Sequence, residues 1–486
     1  MRPRPPATGP LVPAEATGRI RAVLDTPGFG GSQPRPPVAL YVHIPFCLSL
    51  CPYCDFVVYA GRAARGPASR IGELMAALLV ELELRADGLE ARNGGARRPL
   101  ESVYVGGGTP SLLEPADLGT LLTRVDARFG IGAGAEVTLE ANPGEADRGD
   151  LAGFRAAGAT RLSLGVQSLD DGELRRLGRR HRASDVTQAV GQARAAGFDD
   201  ISLDLLYDLP DQTVDSWRST LHRAVALEPD HLSTYALTLE LDGVVTLDGD
   251  RAPDHLPVTG GARTWRRRAA AEQDEDRAAD MDALADELLE PYGYERYEIA
   301  NRARPGHRSR HNLCYWRREP HEALGPGAHA FDGDRVRRWN GARLDAYVAA
   351  LTGQGHAPSL PPGGRDVVSA ATARSEAAIL GLRLAEGIPA RVASDPAFAA
   401  AIDWSIGEGL VQPAGDRLRL TPRGRLLSNE VFLRLLPAGE GAASGERPAA
   451  GERPAAGDPA AAREHAASRE GAAARRPPPA AALPAA

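Results

Sequence analysis

The sequence contains no lysine, so each of its 57 basic residues is an arginine. We attribute this absence to compositional bias and not to function, because the chain is also rich in glycine and proline, with 53 and 39 residues. The basic residues face 64 acidic ones, which gives a formal net charge of −7 at pH 7. This balance offers no electrostatic basis for a nucleic acid as the main partner.

Cysteine and long apolar runs are scarce as well. Four cysteines in 486 residues do not make a disulfide framework, and they suit a reducing compartment. The most apolar run, 75–80, is soon interrupted by Glu81 and Glu83, far short of the ~18 apolar residues that a membrane span needs. Residues 1–37 lack the apolar centre of a signal peptide. We therefore expect a cytoplasmic protein with no transmembrane segment.

Three of the four cysteines form one cluster, Cys47, Cys51 and Cys54, with the spacing C-x3-C-x2-C. Four-iron clusters and structural zinc ions normally have four protein ligands. Three thiolates would leave one iron open to an exchangeable ligand, as a reactive cluster requires. Two alternatives remain, namely a zinc site completed by a distant histidine or by Cys314, and buried unligated thiols. Proline and aromatic residues between the cysteines favour a tight loop.

Strand-like and helix-like segments alternate in the first half of the chain. Strands are predicted over 38–44, 102–105, 136–140, 161–166, 200–205 and 232–237. Helices are predicted over 71–91, 115–129, 149–157, 186–196 and 216–226. This alternation indicates the α/β class, with a parallel sheet built from six βα units, enough for a partial (β/α)6 barrel.

Polar or glycine-rich residues follow the carboxyl ends of these strands. The cysteine loop follows the first strand, 106–109 the second and 140–142 the third. Gln167, Asp204 and Ala236 lie at the ends of the fourth, fifth and sixth. Because barrel enzymes assemble their active sites at this end of the sheet, one site is predicted there.

The remaining divisions follow composition. The predicted segments are a flexible extension (1–36), the barrel (37–240), a surface loop (241–275), a segment that completes the barrel (276–370), a C-terminal module (371–436) and a disordered tail (437–486). In the module, helices up to 385 and over 398–408 precede a hairpin that turns at Gly415-Asp416 and a helix from Pro422. This pattern predicts a small α+β module that resembles a winged helix. Its arginines, at 417, 419, 423 and 425, are expected to be solvated surface residues rather than a nucleic-acid contact.

Several motifs carry a family resemblance. They are Tyr-x-His-Ile-Pro-Phe-Cys-x3-Cys-x-Tyr-Cys from 41, Gly-Gly-Gly-Thr-Pro from 106, Glu-Ala-Asn-Pro from 140, Arg-Leu-Ser-Leu-Gly-Val-Gln-Ser from 161 and His-Leu-Ser-Thr-Tyr from 231. This series resembles the radical SAM enzymes, in which the cluster binds S-adenosylmethionine at its open iron. Within them it is similar to the oxygen-independent coproporphyrinogen III oxidase group, over roughly residues 38–436.

The resemblance implies a [4Fe-4S] cluster on Cys47, Cys51 and Cys54. It also implies S-adenosylmethionine contacts at Tyr41, Tyr53, Gly107, Gly108, Thr109, Glu140, Gln167, Arg179, Asp204 and Ala236. The positions of Gln167, Arg179 and Asp204 match positions that surround a second S-adenosylmethionine molecule in the oxidase. For Arg179 and Asp204 the alternative to this contact is a salt bridge that lines the barrel mouth. For Tyr53 the alternative to stacking on adenine is packing beneath the cysteine loop.

Two details favour one branch of this group. Phe56 stands where the oxidase has a further cysteine, and Cys54-Asp55-Phe56 with His311-Asn-x2-Tyr-Trp resembles the heme chaperone branch. That branch binds heme, passes it to acceptor proteins and lacks oxidase activity. By resemblance, His311 is the candidate axial ligand of heme. His43, Cys314 and a purely structural His311 remain as alternatives.

The expected partners are heme, an unidentified heme-acceptor protein and an electron donor such as flavodoxin or ferredoxin. The rival functions are a true coproporphyrinogen III oxidase and a zinc-binding scaffold without catalysis. One local departure from the oxidase group stands out. Its Gly-Leu-Pro-Gly-Gln-Thr becomes Asp208-Leu-Pro-Asp211-Gln-Thr here, which puts in question a positive φ at these two positions.

Overall fold

The computed structural model describes residues 35–93, 97–239, 259–353 and 357–437. Most of the predicted N-terminal extension, part of the predicted loop (240–258) and the tail from 438 lie outside the described residues. The described residues belong to one compact unit that ends at Pro437. No helix among them is long and apolar enough to cross a membrane.

Strands and helices are numbered along the chain. The strands are β1 Ala39–Ile44, β2 Phe46–Cys47, β3 Tyr59–Ala60, β4 Leu100–Gly107, β5 Ile131–Ala141, β6 Arg161–Gln167, β7 Asp200–Tyr207, β8 His231–Ala236, β9 Glu295–Arg296, β10 Asn301–Ala303, β11 His321–Leu324, β12 His329–Phe331, β13 Val336–Asn340, β14 Gly363–Val367, β15 Ile388–Pro389, β16 Val411–Ala414 and β17 Arg417–Leu420. The α-helices are α1 Ile71–Asn93, α2 Pro115–Phe129, α3 Leu151–Ala157, α4 Asp171–Arg176, α5 Ala183–Ala195, α6 Val214–Ala226, α7 Gly260–Ala270, α8 Glu275–Leu289, α9 Arg310–Trp316, α10 Leu344–Thr352, α11 Ala370–Arg383, α12 Ala399–Gly407, α13 Pro422–Leu426 and α14 Ser428–Leu435.

One large sheet organises the molecule. Its strand order is β14-β13-β12-β11-β1-β4-β5-β6-β7-β8-β10-β9. The six predicted strands, β1 and β4 to β8, are neighbours in chain order and pair in parallel. β11 adds a further parallel strand beside β1, and antiparallel strands extend both edges. The predicted α/β architecture with a parallel sheet is confirmed, and the sheet is wider than six strands.

The helix α2 illustrates why the βα units fold as predicted. Pro115 begins it, and the Glu114 and Asp117 side chains form a reciprocal capping box at its start. Its buried residues recur every three or four positions, as one face of a helix requires: Leu118, Leu121, Leu122, Val125 and Phe129. The helix ends where Gly130 takes a positive φ of 77°.

The prediction of a surface loop over 241–275 is wrong in its described part. Residues Gly260–Ala270 form the helix α7, capped by Thr259. The buried positions of this helix are Arg266 and Ala269. Because a buried arginine takes the place of a core apolar residue, the segment lacks the apolar period by which a helix is recognised.

The C-terminal module matches its prediction closely. It contains α11, α12, α13, α14 and a three-stranded antiparallel sheet in the order β15-β17-β16. The hairpin turns at Gly415 and Asp416 as predicted. The expectation of solvated arginines fails at two positions. Arg417 donates to the carbonyl of Glu386 at 2.6 Å, and Arg425 pairs with Asp286 of α8 at 2.8 Å, which ties the module to the barrel.

Candidate functional site

A cavity of about 410 Å³ extends from the cysteine loop into the barrel interior. It brings together most of the predicted site residues: Cys47, Cys51, Tyr53, Cys54, Gly107, Gly108, Thr109, Glu140, Gln167, Arg179 and Asp204. Tyr41, Ala236 and His311 are not among its lining residues. Most of the predicted site residues thus share one cavity, and three of the contacts implied by the family resemblance do not line it.

The three cysteine thiols are partly buried in the loop after β1. Thr109 Oγ1 donates to Cys47 Sγ at 3.4 Å, and Arg179 Nη1 donates to Cys51 Sγ at 3.5 Å. Burial raises the pKa of Cys47 to about 11 and that of Cys54 to about 12. These two thiols therefore keep their protons at neutral pH in the metal-free chain. A metal centre that binds here must displace these protons, as metal binding to cysteine generally does.

The spacing of the thiols bears on whether they would hold a cluster or a single ion. Three thiolates on one tetrahedral zinc at ~2.3 Å would lie about 3.8 Å apart. Among the described residues, only Asp200, Asp230 and His307 bring three candidate ligand atoms within 4.8 Å of one another. At least one pair of the three cysteine sulfurs is therefore more than 4.8 Å apart, although each pair still interacts electrostatically. This arrangement suits a cluster in which each thiolate binds a different iron.

The group of Asp200, Asp230 and His307 is itself better explained by ion pairs than by a metal ion. Asp200 lies 2.5 Å from Arg161, and Asp230 lies 2.7 Å from Arg194. Each carboxylate is thus already neutralised by a guanidinium group. We interpret these residues as charge pairs at the amino-terminal end of β7, away from the cysteine loop.

The helix α7 holds the cysteine loop from the outside. Arg266, only 1% exposed, donates from Nε to the carbonyl of Pro52 at 3.0 Å and from Nη2 to that of Cys54 at 2.9 Å. The same guanidinium pairs with Asp55 at 2.6 Å. A single arginine side chain of α7 thereby binds two backbone carbonyls and one carboxylate within residues 52–55 of the loop. Phe56, the next residue, lies at the cavity with 66% of its surface exposed.

The glycine motif after β4 packs against the protein itself. A Cβ at Gly107, whose φ is +112°, would lie 2.4 Å from the ring of His43. A Cβ at Gly108 would lie 2.6 Å from the carbonyl oxygen of Phe46, immediately before the first cysteine. The sequence predicted that these glycines admit a ligand. The structure adds a second reason, because they allow the cysteine loop to lie directly against β4.

Glu140 is half-buried at the end of β5 and lines the cavity. Its two carboxylate oxygens accept from the Tyr104 hydroxyl at 2.7 Å and from the Gly107 backbone N–H at 2.9 Å. Burial raises its pKa to about 7, with a smaller contribution from the charge of Asp204. The carboxyl group is therefore close to half-protonated at neutral pH. It can accept a hydrogen bond from a ligand amine or hydroxyl, as expected.

A polar chain links the two hydrogen-bonded cysteines. Asn142 donates to Thr109 Oγ1 at 3.0 Å, and its own amide oxygen accepts from Arg179 Nη2. Arg179 also donates to the carbonyl of Gly165 at 2.7 Å. The chain runs from Cys47 through these three side chains to Cys51. Arg179 therefore does not form the salt bridge considered as an alternative; it is directed at the cysteine loop.

The barrel interior is lined by polar residues that the sequence reasoning missed. They occupy alternate positions of three adjacent strands: Arg161, Ser163, Ser202, His231 and Ser233. Asp204, which was predicted, accepts from Ser163 at 2.9 Å, and burial raises its pKa. The missed signal was the alternation of polar and apolar residues that begins each of these strands, because period-two patterns place one set on one face.

The other predicted contacts have structural partners. Tyr41 bonds His43 Nδ1 through its hydroxyl at 2.8 Å, and His43 Nε2 contacts the carbonyl of Val57 at 2.8 Å. Tyr53 lies at the cavity but also packs near Trp265 of α7, with ring centroids 6.3 Å apart. Both of its considered roles therefore remain compatible with its position. Ala236 ends β8 on the exposed surface.

His311 is buried in the wall of the barrel. Its Nδ1 contacts Ser102 Oγ at 3.0 Å and its Nε2 contacts the Tyr315 hydroxyl at 2.8 Å, so both ring nitrogens are occupied. Burial lowers its pKa to about 3. The cavity is instead lined by the neighbouring Asn312. As an axial heme ligand, His311 would have to give up one of these hydrogen bonds.

Cys314, the fourth cysteine, lies away from the loop. It is buried with Val38 and Ala39 in a small apolar cluster. Its thiol contacts the carbonyl oxygen of Glu319 at 3.8 Å. These contacts favour a core role for this residue over a ligand role, and the cavity lining does not include it.

Sequence comparison matches residues 41–224 to the Radical SAM superfamily and residues 368–427 to the HemN C-terminal domain. The chain is 37% identical over 418 residues to the heme chaperone HemW of Mycobacterium tuberculosis, covering 86% of this chain and 99% of that protein. It is 30% identical over 400 residues to HemW of Bacillus subtilis, covering 81% and 97%. Coproporphyrinogen III oxidase (HemN) from Escherichia coli has a similar fold, with a TM-score of 0.65 and 24% identity, covering 86% of this chain and 92% of that one.

The parallel sheet and its cysteine loop define a radical SAM protein, a class that implies a [4Fe-4S] cluster and S-adenosylmethionine. Within this class, the chain belongs to the HemW family. Three thiols of one loop at the edge of the cavity fit the ligand set of such a cluster. Cys47, Cys51 and Cys54 are the residues that would hold it.

Proposed function

We propose that this protein is a heme chaperone that binds a [4Fe-4S] cluster, S-adenosylmethionine and heme, and that transfers the heme to an acceptor protein in the cytoplasm. The observation that carries this proposal over the oxidase is the arrangement of Cys54, Asp55 and Phe56. Asp55 is held by Arg266, and Phe56 presents an exposed apolar ring at the cavity mouth. The oxidase group has a cysteine at that position. The relatives of this chain that are named heme chaperones support the same choice.

In this proposal the cofactor is held by groups at the carboxyl end of the sheet. The backbone of Gly107 and Gly108 and the carboxyl group of Glu140 face the cavity beside the cysteine loop. When bound there, S-adenosylmethionine on a reduced cluster supplies radical chemistry that belongs to the cofactor itself. The protein orients it and limits solvent access to the loop. Gln167 and Asp204 line the same cavity on β6 and β7 and would contact another part of the ligand.

Heme ligation is proposed for His311 with a specific structural condition. Its Nε2 must exchange the Tyr315 hydroxyl for iron, while the Ser102 contact can keep Nδ1 in place. Replacing Tyr315 by Phe would remove the competing partner without removing the ligand. Ser102→Ala is the matched control, because it removes the hydrogen-bond partner of Nδ1 and leaves that of Nε2. Stronger heme binding in the first variant and its loss in His311→Ala would support this ligand.

The central experiment combines assembly, binding and turnover. Anaerobic reconstitution should give about four irons per chain, the nuclearity of a [4Fe-4S] cluster. Replacing Cys47, Cys51 or Cys54 by Ala should abolish the cluster, and Cys314→Ala should not. Protein that carries zinc without acid-labile sulfide would instead support the scaffold alternative.

The reconstituted protein is then mixed with heme, and transfer is followed spectroscopically. Heme should bind at about one per chain and pass faster to the apo form of a respiratory heme protein than to apomyoglobin, which serves as a passive sink. Coproporphyrinogen III should remain unchanged in the presence of cluster, reductant and S-adenosylmethionine. Its conversion to protoporphyrinogen would contradict the proposal and favour the oxidase.

A further inference from the structure

Two cysteine sulfurs of the loop receive hydrogen bonds, and the third receives none that the structure shows from a side chain. Thr109 donates to Cys47, and Arg179 donates to Cys51. The potential of an iron–sulfur cluster depends on hydrogen bonds to its sulfurs, on nearby charge and on solvent exposure. These two donors are therefore placed where they would act on a cluster and not only on the loop.

The two donors are held as one unit. Asn142 receives Arg179 Nη2 on its amide oxygen and donates its amide group to Thr109 Oγ1. Because the threonine hydroxyl accepts from Asn142, its own proton is directed at Cys47. The carbonyl of Gly165 receives a second bond from Arg179 Nη2 and fixes the guanidinium plane. The direction of both hydrogen bonds is thus set by residues of three different strands and loops.

The charge of Arg179 has the sign that a reduced cluster requires. A [4Fe-4S] centre with three thiolates becomes more negative by one charge when it accepts one electron. A guanidinium group in contact with one of these thiolates stabilises the more negative state more strongly. The Arg179 Nε atom is also buried and has no hydrogen-bond partner among the described residues. The side chain therefore retains one donor toward an atom bound in the cavity.

We propose that Thr109, Asn142 and Arg179 form a tuning network that raises the reduction potential of the cluster through Cys47 and Cys51. Arg179 thereby serves the cluster directly, in place of the contact with a second S-adenosylmethionine that the family resemblance implied. Asn142 is the positioning residue, because it touches no sulfur and orients both donors. This inference depends on the proposed function, because it requires a [4Fe-4S] cluster on the three cysteines.

The test is the midpoint potential of the cluster, measured by redox titration with electron paramagnetic resonance detection in the absence of S-adenosylmethionine. Arg179→Gln and Thr109→Val should each shift the midpoint to more negative values, and Asn142→Leu should do so without removing a donor to sulfur. Thr109→Ser keeps the hydroxyl and should retain the wild-type potential. Arg175→Gln, an exposed arginine on α4, removes the same charge farther from the loop and should leave the potential unchanged.

Each outcome decides the inference. Unchanged potentials in both Thr109→Val and Arg179→Gln would overturn it, as would an equal shift in Arg175→Gln. A normal potential with weakened S-adenosylmethionine binding in Arg179→Gln would overturn it in favour of the cofactor contact. If Arg179→Gln fails to assemble a cluster, the Thr109→Val and Thr109→Ser pair decides. Failure of the wild-type protein to assemble a [4Fe-4S] cluster would instead refute the proposed function.

Discussion

Arg266 of α7 and Asp55 of the cysteine loop form an ion pair of 2.6 Å, although 266 and 55 are far apart in sequence. The arginine is buried and the aspartate is 41% exposed on its side chain. The pair is reinforced by two hydrogen bonds to loop carbonyls. This relationship makes the loop that carries the cluster ligands depend on a helix outside the βα units.

Arg266→Ala should therefore loosen the cysteine loop. It removes a charged donor from two partly buried carbonyls and from a partly solvated carboxylate, which we expect to cost about 2 kcal/mol of stability. Iron should also be lost to a chelator faster than from the wild type, because the loop backbone is no longer fixed. Denaturant unfolding of the cluster-free protein and the kinetics of chelation measure these two effects.

Arg267→Ala on the exposed face of α7 is the matched control for Arg266→Ala. It removes a neighbouring charge without touching the loop and should change neither quantity. Asp55→Asn tests the ion pair alone and should have a smaller effect, since the two carbonyl bonds remain. Equal iron loss from Arg266→Ala and the wild type would show that α7 does not hold the loop.

The second prediction concerns the glycine motif. Gly107→Ala places a Cβ 2.4 Å from the His43 ring at a φ of +112°. The clash and the backbone strain together should cost about 3 kcal/mol or more. Gly134→Ala is the control for strain alone, because its φ is +75° and nothing lies within 4 Å of its Cβ. It should cost about 1 kcal/mol.

A double substitution separates contact with His43 from approach to a ligand. If the Gly107 clash with the histidine ring dominates, His43→Ala should recover part of the stability that Gly107→Ala loses. Thermal unfolding of the four variants of this cycle gives the coupling. The alternative outcome is that the two substitutions have fully additive effects on stability and that Gly107→Ala loses S-adenosylmethionine binding. That outcome would indicate that the glycine motif contacts the ligand, as predicted from the sequence.

The fold was predictable because its pattern is local. Each βα unit pairs an apolar strand with an amphipathic helix, and the boundaries of α2 are the same in prediction and structure. The site at the strand ends followed from the same pattern and needed no family knowledge. What was missed depends on tertiary contacts. Arg266 is buried only because loop carbonyls and Asp55 meet it there, and no periodicity reveals such a residue.

His311 shows that a recognised family motif does not by itself establish the function of each residue in it. The segment was recognised, but the sequence does not reveal that Ser102 and Tyr315 occupy both ring nitrogens. The sequence also does not reveal the role of Glu136. Its buried carboxylate accepts from the backbone N–H groups of Arg310 and His311 and fixes the start of α9. These partners are up to 209 residues away in sequence. Their positions follow from the sheet and not from the motif.

A third prediction follows from the two aspartates that replace glycine in the segment after β7. Asp208 and Asp211 adopt positive φ angles of 56° and 57°, so the backbone conformation that the sequence put in question is retained. Asp211 has a largely exposed side chain, whereas Asp208 is buried and pairs with Arg277 at 2.5 Å. Equal backbone strain is therefore combined with unequal side-chain contacts.

Asp211→Gly should change the free energy of unfolding by less than about 1 kcal/mol, because relief of strain offsets the greater freedom of glycine in the unfolded chain. Asp208→Gly loses a buried ion pair as well and should destabilise by about 2 kcal/mol. Denaturant unfolding of both variants measures the difference. Similar values for the two would mean that the Asp208–Arg277 pair contributes nothing.

The last prediction is a pH dependence that originates at Glu140. Burial raises its pKa from the ordinary 4.5 to about 7, so the folded chain retains a proton that the unfolded chain has released between these values. The stabilising contribution is then fully present below pH 4.5 and is lost as the pH rises through 7. The loss should not exceed about 3 kcal/mol. Cluster-free protein should accordingly show a falling contribution from this residue between pH 5 and pH 8, measured by denaturant unfolding.

Glu140→Gln removes this titration while keeping an acceptor for the Gly107 N–H. The variant should gain stability relative to the wild type as the pH rises from 5 to 8, because its amide carries no charge in the buried site. Asp204→Asn is the necessary comparison, since burial also raises the pKa of that carboxyl group. The difference in free energy of unfolding between Glu140→Gln and the wild type is compared at pH 5 and pH 8. An equal difference at the two pH values would show that the Glu140 carboxyl group does not titrate in this range.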